Sequence, residues 1–151
     1  MVDVFTVRGM LVEKKQQVLL KVVPDTFVIT ALDIMRKAKV GALVVMDQEG
    51  SFVGIVTERD YAWKVELEGK AATRTSVAQI MTPAKDVFSV TRFSTLEEAL
   101  VLMDEHHVRH LPVIEEGKLL GLISIRDVVH GIVQHQIFLA QQFMESTGGR
   151  T

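Results

Sequence analysis

At 151 residues, 48% of them hydrophobic, the chain is long enough for one compact domain or for two small units sharing a core. A formal charge of −2, with acids and bases interleaved, provides no field for DNA, RNA or an anionic membrane; the absence of cysteine excludes disulfides, thiolate metal sites and a cysteine nucleophile, and fits a reducing compartment. The opening "MVDVFTVRG" lacks the basic and apolar regions of a secretion signal, and every apolar run is interrupted well short of the roughly 18 residues that span a bilayer, so a cytoplasmic protein is expected.

In chain order, "TVRGML" (6–11) predicts a short helix opened by a hydroxyl cap. Val28, Ala31, Leu32 and Met35 then recur at i, i+3, i+4 and i+7, which places one apolar face of a helix against a core. The cluster Arg36, Lys37 and Lys39 reads as the solvated end of that helix. "ALVVM", the turn "DQEGS" and "FVGIV" carry the signature of a β-hairpin, which closes on "GIVTERD" (54–60). Helical spacing resumes in "RDYAWKVEL", where Trp63 stands among Tyr61 and Val65 and is assigned either to the core or to an interface. A polar linker at 68–75 leads to the next cap.

From there the pattern begins again. "SVAQIM" (76–81) repeats the short capped helix, and Leu96, Ala99, Leu100 and Met103 repeat the apolar stripe. "LPVI", "EEGK" and "LLGLIS" repeat the hairpin, and "GLISIRD" (121–127) repeats the heptapeptide. A shift of about 68 residues brings Val40, Leu43, Val45, Gly50, Gly54, Arg59 and Asp60 onto Val108, Leu111, Val113, Gly117, Gly121, Arg126 and Asp127, with one residue dropped in the turn between Asp47 and Gly50. The chain therefore reads as a β-α-β-β-α unit written twice, at 6–67 and 76–145, with a flexible tail at 146–151. The expected fold is α/β (α+β), the two copies packing sheet against sheet with pseudo-twofold symmetry and a pair of equivalent clefts.

The heptapeptide supports two readings. An aspartate accepts two hydrogen bonds from a vicinal diol, a hydroxyl bonds a sugar or phosphate oxygen, and the planar fork of arginine pairs with phosphate; Thr57, Arg59 and Asp60, and Ser124, Arg126 and Asp127, together suit a ribose phosphate. Gly54 and Gly121 permit a close backbone approach or a bulge on the strand before. A hydroxyl residue followed three positions later by aspartate is also a helix cap that needs no ligand. No nucleophile is paired with a general base, so catalysis is not indicated. "HHVRH" (His106, His107, His110) falls where helix changes to strand and its rings are not expected to converge on a metal; His130 and His135, five apart, do not share a helix face. In the last helix Val129, Ile132, Val133, Ile137, Ala140, Phe143 and Met144 continue an apolar stripe past the end of its counterpart in the first copy, which marks either an interaction surface or packing back on "TVRGML".

The doubled G-h-h-[ST]-x-x-D, the "GALVV" and "RHLPVI" strands and the "IMT" before the second copy resemble the CBS domain, named after cystathionine β-synthase; over about 6–143 the chain is similar to a stand-alone tandem pair, or Bateman module, of the kind found in bacteria and plant organelles. The resemblance implies a non-catalytic regulatory module whose clefts take an adenosine-containing ligand, AMP, ADP, ATP, NAD or S-adenosylmethionine, and which acts on an unidentified regulated protein. It implies one site from Ile55, Thr57, Arg59 and Asp60 with Ser94, Ala99, Val108, Arg109 and His110, and a second from Leu122, Ser124, Arg126 and Asp127 with Thr26, Ala31, Val40, Gly41 and Ala42. The aspartates would hold the ribose diol and the strand backbone the adenine edge. Because Arg109 and His110 have only Gly41 and Ala42 as counterparts, the charged end of a ligand is expected to lean toward Arg109 and His110, and the two affinities to differ. The family also implies a homodimer formed through helices. Three alternatives stand beside this one: a nucleotide-independent dimeric scaffold, a regulatory piece related to IMP dehydrogenase and, least favoured, a cryptic enzyme.

Overall fold

The computed structural model describes residues 6–13 and 19–148. In chain order the elements are α1 (Val7–Glu13), β1 (Lys21–Val22), α2 (Val28–Ala38), β2 (Ala42–Met46), β3 (Phe52–Thr57) and α3 (Glu58–Tyr61), which runs on into a π-helical turn at Ala62–Glu66. There follow α4 (Val77–Ile80), β4 (Thr82–Pro83), a 3-10 turn at Ala84–Asp86, α5 (Leu96–His106), β5 (His110–Glu115), β6 (Lys118–Ser124) and α6 (Ile125–Gly148).

These residues form two units. One comprises 19–87; the other joins 6–13 to 88–148. In the first, a four-stranded sheet runs in the order β1-β2-β3-β4, with β1 parallel to β2 and the other pairs antiparallel. In the second, β5 and β6 form the equivalent hairpin, and Val90 bridges Val113 in parallel where Val22 pairs with Val45 in the first. Even the irregularity repeats: the register shifts between Val45 and Met46, and again between Val113 and Ile114. The duplication read from the sequence is thus a duplication of hydrogen-bond pattern.

The apolar stripes become cores. Val28, Ala31 and Met35 of α2 pack with Val22, Leu43, Val45, Val56 and Val65 in one unit; Leu96, Ala99 and Met103 of α5 pack with Val90, Leu111, Val113, Ile123 and Val128 in the other. Full burial of one such side chain contributes roughly 1.5–3 kcal/mol, so matched sets of this kind stabilise both units by the same means. Each helix stops in a left-handed residue, Lys39 at φ 57° and His107 at φ 53°, after which the chain turns into the next strand.

Each core is completed by the short helix that belongs, by sequence, to the other copy. Val77 and Ile80 of α4 are buried in the unit built from the first copy, and Val7 and Met10 of α1 in the unit built from the second. The backbone bonds match position for position: Val77 and Ala78 donate to the carbonyls of Thr26 and Pro24, while Val7 and Arg8 donate to those of Ser94 and Arg92. These bonds satisfy amides that a helix start leaves without intrahelical partners. The expected hydroxyl cap of α1 is present, Gly9 N–H donating to Thr6 Oγ1 at 3.1 Å.

Candidate functional site

Both heptapeptides end a strand and cap the helix that follows. In the first, Thr57 Oγ1 accepts the Asp60 N–H at 3.1 Å, and Asp60 Oδ2 accepts the Thr57 N–H at 2.9 Å and its hydroxyl at 3.2 Å. In the second, Ser124 Oγ accepts the Asp127 N–H at 3.1 Å and Asp127 Oδ2 accepts the Ser124 N–H at 2.8 Å. This reciprocal pair is a capping box, and it fixes the carboxylate at the strand end. The cap reading of the heptapeptide is therefore realised in both copies. A carboxylate accepts roughly four hydrogen bonds in all, so a cap and a ligand contact are compatible wherever acceptor positions remain.

The glycines of the heptapeptides serve packing. At Gly54 a Cβ would lie 2.5 Å from the Thr82 carbonyl oxygen, since β4 runs alongside (Gly54 pairs with Pro83). At Gly121 a Cβ would lie 2.7 Å from Leu11 Cδ2 of α1. Each copy thus omits a side chain where the exchanged segment runs close by.

Within each unit, the strand before the hairpin turn delivers its first residues to the cap. Ala42 pairs with Thr57 and the Glu58 N–H donates to the Gly41 carbonyl at 3.0 Å; His110 pairs with Ser124 and the Ile125 N–H donates to the Arg109 carbonyl at 2.8 Å. The structure therefore brings Val40, Gly41 and Ala42 together with Thr57, Arg59 and Asp60, and Val108, Arg109 and His110 together with Ser124, Arg126 and Asp127. Ile55 is buried in β3 opposite Val44, and Leu122 is half-buried in β6 opposite Pro112. Thr26 and Ser94 take equivalent backbone roles at the short helices, and Ser94 Oγ also accepts the Thr91 N–H at 3.2 Å. Ala31 and Ala99 are packed inside the two cores.

The charged groups are disposed unequally. Arg109 and Arg126 are exposed, whereas the Arg59 guanidinium lies 5.3 Å over the ring of Trp63, itself an exposed residue on the π-helical turn. Asp60 is buried and its Oδ1 accepts a bond from Lys64 Nζ at 3.0 Å; the same ammonium donates to the Ile80 carbonyl at 2.8 Å. Lys64 was passed over in the sequence reading, although its spacing of four residues from an acid on a helix is the signal for such a pair. His106 stacks on Phe88 with centroids 3.6 Å apart, His107 closes α5, and His110 opens β5. Among the described residues no group of three or more His, Cys, Asp or Glu is placed to hold a metal, and no helix is long and apolar enough to cross a membrane.

Comparison with known proteins gives concordant matches. The CBS-domain family model matches residues 16–65 and 77–134. Over 111 residues the chain is 37% identical to the mitochondrial CBS domain-containing protein CBSX3 of Arabidopsis thaliana, covering 72% of this chain and 54% of that protein. It is 37% identical over 108 residues to inosine-5'-monophosphate dehydrogenase of Aquifex aeolicus, covering 70% of this chain and 21% of the enzyme. The chain thus spans about half the length of the plant relative and about a fifth of the enzyme. Among solved structures, a CBS-domain protein from Burkholderia ambifaria superposes with a TM-score of 0.78 at 40% identity, covering 87% of this chain and 96% of that one.

Proposed function

The chain belongs to the CBS-domain family as a tandem pair, a regulatory module, and from that premise we propose that it binds an adenosine-containing ligand and passes the binding event to a partner protein. CBS domains are generally regulatory and non-catalytic, and no catalytic family is indicated for this chain. The observation that carries the ligand reading is the arrangement in the 88–148 unit. There a capped strand end presents Ser124, Arg126 and Asp127 beside the start of β5, with Arg109 and His110 flanking it. Asp127 takes the ribose diol, Ser124 and the arginines take ribose or phosphate oxygens, and backbone at residues 108–110 takes the adenine edge.

This grouping keeps each ligand within the residues that one unit brings together, and stands beside the crossed grouping that the family resemblance implies. The charged end of the ligand again lies toward Arg109 and His110, now on the same unit as Asp127. The 19–87 unit offers the corresponding set, Val40, Gly41 and Ala42 with Ile55, Thr57 and Arg59, without cations at 41 and 42.

For assembly we propose a homodimer through α6. Val129, Val133, Ile137, Phe143 and Met144 are exposed along it, and no Asp, Glu, Lys or Arg occurs between Asp127 and Glu145. Ligand binding regulates a partner by favouring one pose of the module over another, which requires different affinity for the two poses.

Thermal unfolding in the presence of AMP, ADP, ATP, NAD and S-adenosylmethionine tests the reading. A ligand held at about 100 times its Kd stabilises by roughly 2.7 kcal/mol and raises the midpoint accordingly. No shift with any of the five favours the nucleotide-independent scaffold, whose specific support is that both aspartates already serve as helix caps.

A further inference from the structure

The two aspartates sit in equivalent caps but meet different helix positions four residues on. After Asp60 that position is Lys64; after Asp127 it is Gly131. We infer that Lys64 closes the first copy to ribose diols. The inference rests on the nucleotide reading above and adds a residue that sets specificity.

Asp60 has roughly four acceptor positions. Two on Oδ2 are taken by the Thr57 N–H and hydroxyl, and one on Oδ1 by Lys64 Nζ. A vicinal diol needs two, so it must displace the ammonium. That ammonium is held twice, since it also donates to the Ile80 carbonyl, one of the terminal α4 carbonyls that lack an intrahelical partner. The turn that carries Lys64 is fixed by Val65, fully buried in the core beside it. With the Asp60 side chain 11% exposed, exchanging a charge-assisted contact for two neutral hydroxyl contacts is unfavourable.

The second copy excludes the same device by packing. A Cβ at Gly131 would lie 2.6 Å from Leu96 Cδ1 and 3.4 Å from Met10 Cε, because α6 passes tightly over α5 and α1. No lysine can be placed there without moving those side chains. The lysine device is therefore confined to the first copy by helix packing.

Calorimetric titration of the full chain with AMP and with 2′-deoxy-AMP, which lacks the diol, tests the inference. K64M keeps the apolar stem and removes the charge; K64Q keeps a donor for the Ile80 carbonyl, so a loss of folding in one variant does not leave the other uninformative. Either variant is expected to gain a binding event, or roughly tenfold in first-copy affinity, for AMP and not for the deoxy nucleotide, and the gain is abolished when D60N is added. Unchanged binding in K64M and K64Q overturns the inference, and so does weakened binding, which would make Lys64 a ligand contact. If wild type and both variants bind no adenine nucleotide, the nucleotide reading itself fails, a pattern distinct from wild-type binding that does not respond to Lys64.

Discussion

Gly54→Ala is expected to destabilise the protein clearly more than Gly121→Ala, although both replace the first residue of the same heptapeptide. At Gly54 the added Cβ lies 2.5 Å from the Thr82 carbonyl oxygen and 3.0 Å from Met81 Sδ. The carbonyl is backbone, held by the pairing of Gly54 with Pro83 and Ile55 with Thr82, so relief requires β4 to move away from β3. Overpacking of this kind costs about 1–3 kcal/mol. For a chain of this length that lowers Tm by roughly 2–10 °C. At Gly121 the close neighbour among the described residues is Leu11, its Cδ2 at 2.7 Å, the far end of a flexible side chain that can rotate. There the reduced entropy of the unfolded chain offsets much of the clash, and the net change stays within about 1 kcal/mol. Calorimetric or circular-dichroism melts of the two variants decide the matter. Equal losses, or a larger loss at Gly121, would refute the assignment of Gly54 to a backbone-on-backbone contact.

Asp127→Ala removes both the cap acceptor and the diol acceptor, so titration with the stabilising nucleotide should show about tenfold weaker binding, alongside a stability loss of about 1 kcal/mol. Ile137→Asp on the exposed face of α6 should shift the mass measured by light scattering from about twice the 16.9 kDa chain mass to that mass, with an unchanged melting profile within each unit. Asp33 on α2 is held below its ordinary carboxyl value of 3.8 by its bond to Lys37 and then by Arg36. A depressed carboxyl adds stability above that value and loses it as pH falls through the folded value; Asp33→Asn should therefore melt slightly below wild type at pH 7, with the gap closing under pH 3.8.

Much of the fold was legible because the chain states it twice. The stripe Val28, Ala31, Met35 and its partner Leu96, Ala99, Met103 announced a buried helix face, and each is buried as expected. The hairpins were carried by alternation and by Gly50 and Gly117, both at positive φ in the turns. The exchange of α1 and α4 was not legible: helices of seven and four residues show their capping and apolar spacing but contain nothing that specifies which copy they cover. At the candidate site, the capping pairs Thr57–Asp60 and Ser124–Asp127 were legible from their spacing, and strand pairing adds which residues lie beside each cap within a hairpin. Ala31 and Ala99, ligand contacts only by motif position, carry no spacing signal that separates such a role from their burial in the two cores. Lys64 escaped notice because its importance depends on the Ile80 carbonyl, sixteen residues away in sequence.

The exchange of the short helices also orders assembly in time. The unit of residues 19–87 is one continuous stretch, so α4 reaches its docking place as soon as that stretch has been synthesised. The other unit joins residues 6–13 to residues 88–148: α1 is synthesised well before Leu96, Leu111 and Ile123, and finds them only after everything between has been made. Until then Val7 and Met10 are apolar residues with no core to enter. Closing so long a loop slows formation of the second unit relative to the first, so that α1 is made before the continuous unit yet secured after it.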